Sequence, residues 1–270
     1  MKIETVVDAF KPPHIDEGKT YLNVKLKTTE DRARIIFLGD FHVGAPNDIC
    51  DIEKIRGELK YIEKTKNTYA VLMGDLADCA SKMRQSGPNV YQQTMPPQQQ
   101  YESLLELLAP VAEKKKILCM LSGNHEDWIA QDTGIMIIRN LCRELKTQHI
   151  ASGGNLNLSV EDGRGQKQTY LINLRHGKGN ARGKVKMAAL VRQTEGMFAD
   201  IFACGHVHSL EAKKAQLIVN GVPHKCYYLL TGHFLIYAGS YAQNWGLSPE
   251  PTGCIKAHLF TQKKDVHVNL

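Results

Sequence analysis

The chain has 270 residues, of which 43% are hydrophobic, and it carries a formal net charge of +6 with a pI near 8.8. That length can bury one large core, so we predict a single domain over residues 1–270. The mild positive charge is compatible with a phosphate-bearing substrate and excludes the strongly basic tails typical of many nucleic-acid-binding proteins.

Hydropathy and cysteine usage predict where the protein works. No apolar run approaches the ~18 residues of a membrane-spanning helix, and the N-terminus has no hydrophobic signal core. The seven cysteines are an odd number without paired spacing, which argues against a disulfide framework. We therefore expect a cytoplasmic protein with no membrane partner. No pattern in the sequence predicts an oligomeric state.

The first part of the chain alternates strand and helix patterns. An irregular arm over 1–18 precedes an alternating strand over 21–27, a buried strand over 34–38, a helix over 48–65 capped by Asn47 or Asp48, and a buried strand over 69–73. Residues 81–99 are rich in Ser, Gln, Gly, Pro and Asn, and they predict a long polar loop or lid inserted into the domain.

The remaining elements continue the alternation. We predict a helix over 98–108, a buried strand over 117–121, a helix over 134–145, two strands within 156–174, a helix from about 186 to 194, a strand over 201–203, a hairpin around Asn220-Gly221, and one or two strands after Gly253. The alternation predicts an α/β fold.

Five of these strands end in the same way, with a glycine or a turn and then side chains that can bind metal. They are Asp40 and His42, Asp75, Asn124 and His125, His176, and His206 and His208. Functional groups gather at the carboxyl ends of strands in α/β sheets. In extended chain, residues two apart point to the same side, so Asp-x-His and His-x-His can each address one metal or a metal pair.

The mixture of side chains indicates the kind of site. Carboxylate, imidazole and amide together suit Mn, Fe or Zn, and the absence of thiolates argues against a structural zinc site. Each fragment alone is weak, since Gly-Asp is usually a turn and His-x-His is often incidental. Their conjunction after five buried strands favours function. Of the other six histidines, His233 follows Thr231-Gly232 at a strand end and stays a candidate pocket residue. The remaining five are expected to be structural or exposed: His14, His149, His224, His258 and His267.

The order Asp-x-His, Gly-Asp, Gly-Asn-His-Glu, His-Gly and Gly-His-x-His over residues 39–208 resembles the calcineurin-like metallophosphoesterases. The resemblance implies a four-layer α/β/β/α sandwich of two mixed sheets. It implies two divalent metal ions, with Mn preferred and Fe, Zn, Ni or Mg compatible. Carried over by position, Asp40, His42 and His208 hold the first metal, Asn124, His176 and His206 hold the second, and Asp75 bridges them.

The chemistry expected of such a centre is hydrolysis of a phosphoester. Two metals about 3.5–4 Å apart can clamp a bridging hydroxide nucleophile and a phosphate oxygen. His125 is not needed as a ligand, so it is the candidate proton donor to the leaving oxygen. Asp78 matches the family position that orients this histidine in the Ser/Thr phosphatase branch. The alternative interpretation of Asp78 is a helix cap.

One departure from the family pattern bears on the substrate. The phosphoprotein phosphatases carry Arg directly after that second Asp, to grip a doubly charged monoester, whereas this chain has Cys79. The difference favours phosphodiesters. Cations that could replace the missing Arg are Arg84, Arg139, Lys178 and Arg182. Residues 178–186 are a basic cluster that contacts either substrate phosphate or only solvent, and Glu126 and Asp127 are expected to stabilise a helix N-terminus.

Three functions follow from these observations. The first is a phosphodiesterase or nuclease, whose partner is DNA, RNA, a cyclic nucleotide or another nucleotide-like diester, with Arg84, Lys178 and Arg182 as substrate contacts. The second is a phosphomonoesterase acting on phosphoprotein or nucleotide. The third is a metal-binding scaffold without catalysis.

Overall fold

The fold is given by a computed structural model that describes residues 19–83, 90–177 and 185–270. The strands are β1 (Lys19–Thr28), β2 (Arg32–Leu38), β3 (Thr68–Leu72), β4 (Ile117–Leu121), β5 (His149–Asp162), β6 (Lys167–Arg175), β7 (Ile201–Cys204), β8 (Leu210–Val219), β9 (Val222–Thr231), β10 (Ile255–Phe260) and β11 (Val266–Asn269). The helices are α1 (Ile52–Lys64), α2 (Pro97–Glu113), α3 (Asn124–Thr133), α4 (Ile137–Glu144), α5 (Val185–Gln193) and α6 (Tyr241–Asn244). The predicted N-terminal arm lies outside the described residues.

The eleven strands of the described ranges join one mixed sheet by hydrogen bonds. The order is β11-β10-β2-β3-β4-β5-β6-β7-β9-β8, and β1 pairs separately with β5 in parallel. Strands β2, β3 and β4 run parallel, as do β6, β7 and β9. The protein is therefore an α/β protein with a large mixed sheet, as the alternation of patterns predicts. The four-layer division into two sheets stays a prediction.

The long strand β5 brings the two parallel sets together. Its first residues, His149 and Ile150, pair with the last residues of β4, while Gly153 pairs with Arg175 at the end of β6. Because β5 begins where β4 and β6 both end, the carboxyl ends of the two sets meet at one place. The strand exits that carry candidate ligands are thereby brought to a common edge.

Both faces of the sheet are buried. Ile35 and Phe37 of β2 join a cluster made of strand residues and Met73, whereas Ile36 and Leu38 join a second cluster with α1, α2 and α4. A third cluster packs α5 against β7 and β9. Burial on alternate faces explains why β2 and its neighbours have nearly continuous apolar sequences. None of the helices in the described ranges is long and apolar enough to cross a membrane.

Some helix boundaries differ from the prediction. The helix predicted over 134–145 begins at Ile137, because Gly134 adopts a left-handed φ of 77° and ends α3 instead. Helix α1 begins after Asp51, whose carboxylate accepts the Lys54 N–H at 3.1 Å. The predicted caps, Asn47 and Asp48, lie in a short turn before the helix and both have positive φ. Helix α6 was not predicted.

Candidate metal centre

The predicted ligands lie directly after the strands, and five of them have backbone conformations that residues other than glycine rarely adopt. Asp40, His42, Asp75, His206 and His208 have φ values of 52°, 50°, 49°, 67° and 46°. A positive φ is uncommon for residues other than glycine, and such conformations cluster at functional sites. The left-handed backbone also replaces the extended geometry expected for Asp-x-His and His-x-His. His206 and His208 accordingly join different groups.

The first group consists of Asp40, His42 and His208, whose potential ligand atoms lie within 4.8 Å of one another. His208 Nε2 is 3.3 Å from Asp40 Oδ1 and 3.2 Å from His42 Nε2. Both oxygens of Asp40 also accept the His206 backbone N–H, at 3.0 and 3.1 Å. Asp40 thereby ties the β2 exit to the β7 exit.

The second group consists of Asp75, His176 and His206, with ligand atoms again within 4.8 Å. His176 Nδ1 donates to the Met73 carbonyl at 2.8 Å, which directs Nε2 at Asp75 Oδ2 and Asn124 Oδ1, each 3.1 Å away. Burial would lower the pKa of His176, but the Asp75 carboxylate raises that pKa to about 10. A ring nitrogen facing two oxygen acceptors needs a cation between them, either a proton or a metal.

Asp75 faces both groups. Its Oδ2 lies 3.9 Å from His42 Nε2 of the first group and 3.1 Å from His176 Nε2 of the second. Its Oδ1 accepts the His125 backbone N–H at 3.0 Å. This position between the groups is where a bridging ligand would lie.

The charges of the site fit divalent cations. Asp40 is fully buried and Asp75 is 1% exposed, and their ion-pair partners among the described residues are all histidines. Burial would raise the pKa of Asp75, but His176 and His125 hold it well below its usual value. Two buried carboxylates without Lys or Arg partners are costly unless another cation is bound. Oxygen and imidazole ligands suit Mn, Fe or Zn.

His125 and Asp78 lie beside the first group. The Nδ1 atom of His125 makes a short hydrogen bond to the Asp78 backbone carbonyl, and it lies 3.8 Å from the Asp78 carboxylate. The orienting contact is therefore the main chain of Asp78 rather than its side chain. Asp78 Oδ1 also lies 3.6 Å from His42 Nδ1, and His42, Asp78 and His125 form a third group that converges within 4.8 Å.

Glu126 is more important to the site than its sequence context indicates. Its buried carboxylate accepts the backbone N–H groups of Asp75, Leu76, Ala77 and Gly123 at 2.6–3.0 Å. Burial and the Asp75 carboxylate raise the pKa of Glu126 to about 7, against the effect of these hydrogen bonds. Glu126 therefore does more than stabilise its own helix, because it joins two ligand loops.

Gly123 makes this junction possible. A Cβ atom there would lie 2.1 Å from Asp75 Oδ1 and 2.2 Å from the Asp75 nitrogen. No side chain fits at that distance, so glycine is required where the β3 and β4 exits touch. The Gly-Asn-His-Glu sequence thus combines close packing, an amide ligand candidate, an imidazole and a loop anchor.

His233 belongs to the site although its sequence context is weak. It follows β9, and its ring stacks on that of His208 with centroids 5.1 Å apart. The neighbouring Phe234 N–H donates to the Asp40 carbonyl at 3.1 Å. Burial and the adjacent His208 lower the pKa of His233 to about 3. Its position at the end of a strand, which made it a candidate pocket residue, is that of one more strand of the parallel set.

The described residues do not include the candidate substrate contacts Arg84, Lys178 and Arg182. Arg139 is on α4, where its guanidinium contacts Met136. Cys79 is buried with a positive φ of 43°, and its N–H donates to Gln100 at 2.9 Å. Burial raises the pKa of the Cys79 thiol, so it is not a reactive thiolate.

Comparisons with known proteins add little to this geometry. No protein-family model and no curated protein matches the chain. One similar solved structure is that of a conserved uncharacterized protein from Streptococcus pneumoniae TIGR4, described as a predicted phosphoesterase. It is 14% identical, covers 88% of this chain and 98% of its own, and superposes with a TM-score of 0.32.

Proposed function

We propose that the protein is a metal-dependent phosphoesterase that prefers phosphodiesters, such as DNA or a nucleotide-like diester. The observation that carries this proposal is the convergence of two Asp/His groups around Asp75, with His125 beside them. Asp40, His42 and His208 would hold one divalent ion, Asn124, His176 and His206 a second, and Asp75 would bridge them. Mn is the first metal to test. Bound ions would supply Lewis-acid charge and an activated water.

The residues of the chain supply proton transfer and positioning. With Nδ1 of His125 held by the Asp78 carbonyl, Nε2 is left to exchange a proton with the leaving oxygen. The Asp78 carboxylate lies 3.8 Å from the same Nδ1 atom. The Trp128 ring, 4.7 Å from that of His125, limits the ring's movement. The hydrogen bond from the His125 backbone N–H to the Asp75 carboxylate fixes the position of His125 relative to the Asp75 loop.

The preference for diesters rests on charge. A diester carries one negative charge fewer than a fully ionised monoester, so it needs fewer cations in the pocket. Cys79 stands where the phosphoprotein phosphatases, which share the sequence pattern, carry an arginine, and it is buried. The phosphomonoesterase and the inactive scaffold are the competing functions.

A hydrolysis panel tests the proposal. Protein loaded with Mn²⁺ is offered bis-(p-nitrophenyl) phosphate, p-nitrophenyl phosphate, single- and double-stranded DNA, RNA and cyclic nucleotides. We expect faster hydrolysis of the model diester than of the monoester, with activity removed by EDTA and restored by Mn²⁺. An Asp75→Asn preparation controls for contaminating phosphatases. A metal-loaded protein that is inert toward every phosphoester would support the scaffold instead.

A further inference from the structure

His233 carries a hydrogen-bond donor whose partner is missing among the described residues. Its Nδ1 atom accepts the Leu235 backbone N–H at 3.2 Å. A neutral imidazole has one protonated nitrogen, so the proton of this ring is on Nε2. His233 is only 7% exposed, and its Nε2 atom is buried and makes no hydrogen bond within the described ranges. Buried donors are nearly always satisfied, so this one needs an acceptor.

The tautomer excludes one role for His233. A protonated ring nitrogen has no lone pair for a metal, and the other nitrogen is engaged by Leu235. His233 is therefore not an additional metal ligand, even though it stacks on the ligand candidate His208. Its Nε2–H is left for an oxygen or nitrogen acceptor, either water or a group that enters the site.

The surroundings of His233 indicate what that acceptor is. The ring lies parallel to that of His208, with an interplanar angle of 20°. That stacking, with the bond from the Phe234 N–H to the Asp40 carbonyl at 3.1 Å, places His233 against the first group. Lys186 is itself held by Glu250 at 2.9 Å, and Glu250 accepts the Ser209 hydroxyl at 3.2 Å. If divalent ions were bound as proposed, their charge would exceed that of the Asp40 and Asp75 carboxylates, and the site would favour an anionic oxygen.

We propose that His233 is a substrate-binding residue whose Nε2–H donates a hydrogen bond to a non-bridging phosphoryl oxygen on the side of the first group. The inference rests on the proposed function, because it assumes that a phosphate group enters the centre. A neutral donor suits a singly charged diester, since it adds a directional contact without adding charge. The contact would orient the phosphorus while His125 serves the leaving oxygen.

Phosphate binding tests this role independently of turnover. Inorganic phosphate is titrated into Mn²⁺-loaded protein freed of excess metal, and the affinity is measured by calorimetry for the wild type, His233→Phe and His233→Gln. Phe keeps the ring that stacks on His208 and removes the donor, whereas Gln returns an N–H near the Nε2 position. His267→Phe is the matched control, since His267 is exposed on β11. Metal content is measured for each protein.

We expect His233→Phe to keep two metal equivalents and to bind phosphate about tenfold more weakly, as for the loss of one hydrogen bond to a charged acceptor. His233→Gln should recover most of that loss, and His267→Phe should match the wild type. Unchanged phosphate affinity in His233→Phe would mean that the donor serves only water, and the proposal would be wrong. Loss of metal from both His233 variants, or a wild type that binds no phosphate, would also overturn it.

The outcome separates the two proposals. If the wild type binds phosphate through His233 but hydrolyses no phosphoester, the proposed catalytic function fails while the binding role stands. If the wild type hydrolyses diesters and His233→Phe binds phosphate normally, only the role of His233 fails.

Discussion

The two candidate metal groups differ in how firmly one imidazole of each, His176 and His42, is held. In the second group, His176 donates to a backbone carbonyl at 2.8 Å, and the Asp75 loop is fixed by Glu126. In the first group, the Nδ1 atom of His42 faces the Asp78 carboxylate at 3.6 Å, which is too long for a hydrogen bond. An outer partner fixes the orientation of a ligand and raises its affinity for metal. We therefore expect the second group to bind metal more tightly than the first.

Asp75→Asn should produce the largest effect, because Asp75 faces both groups. We expect both metals to be lost and hydrolysis to fall by more than about a hundredfold, since removal of even an outer partner of a ligand costs about 10–100-fold. Metal analysis and a diester assay check this result. The control is Asp31→Asn, since Asp31 is exposed and lies before β2, at the opposite end of that strand from Asp40. Retention of two metal equivalents by Asp75→Asn would refute its bridging position.

His125→Ala should leave both groups filled and reduce only turnover. We expect a loss of about a hundredfold on a diester with a poor leaving group, the usual contribution of general acid catalysis. The loss should shrink with p-nitrophenolate, which needs little protonation as it leaves. The measurement compares the hydrolysis rates of the two diesters by wild type and variant at equal metal content. If the purified variant has lost metal, His125 is itself a ligand, and the third group of His42, Asp78 and His125 binds an ion.

Asp78→Asn should have the smallest effect and should act on the first group alone. The substitution keeps the backbone carbonyl that holds His125 and removes the charge near His42. We expect the loss of this nearby negative charge to lower metal affinity at the weaker position about tenfold, while the tighter position is unchanged. A stepwise Mn²⁺ titration followed by electron paramagnetic resonance distinguishes the two positions. Equal weakening at both positions would show that the two groups are not independent.

The sequence predicts the strands and their exits well, because both depend on local patterns. The strand predicted over 117–121 has those bounds in the structure, and the residues after β2, β3, β4, β6 and β7 converge. A buried strand needs a continuous apolar run, and its end is marked by glycine or a turn. These features are visible within a few residues of sequence.

The contacts of Glu126 and His233 could not be predicted, because they depend on distant parts of the chain. Three of the donors to Glu126 lie 49–51 residues earlier, and their proximity depends on the alignment of β3 with β4. His233 reaches His208 because β9 pairs in parallel with β7 as well as with its hairpin partner β8. Periodicity carries no information on strand order, so the sequence could not predict these contacts.

The carboxylate of Glu126 has a further consequence for how the protein acquires its metal. It fastens the Asp75 loop to the Gly123 turn through four main-chain hydrogen bonds that involve no ion. Two loops of the second group are thus held together by contacts within the protein. We therefore expect that a bound ion could be removed and replaced without separating these two loops. The metal that the protein carries would follow from the ions its surroundings supply, and one protein could be studied with several different metals in turn.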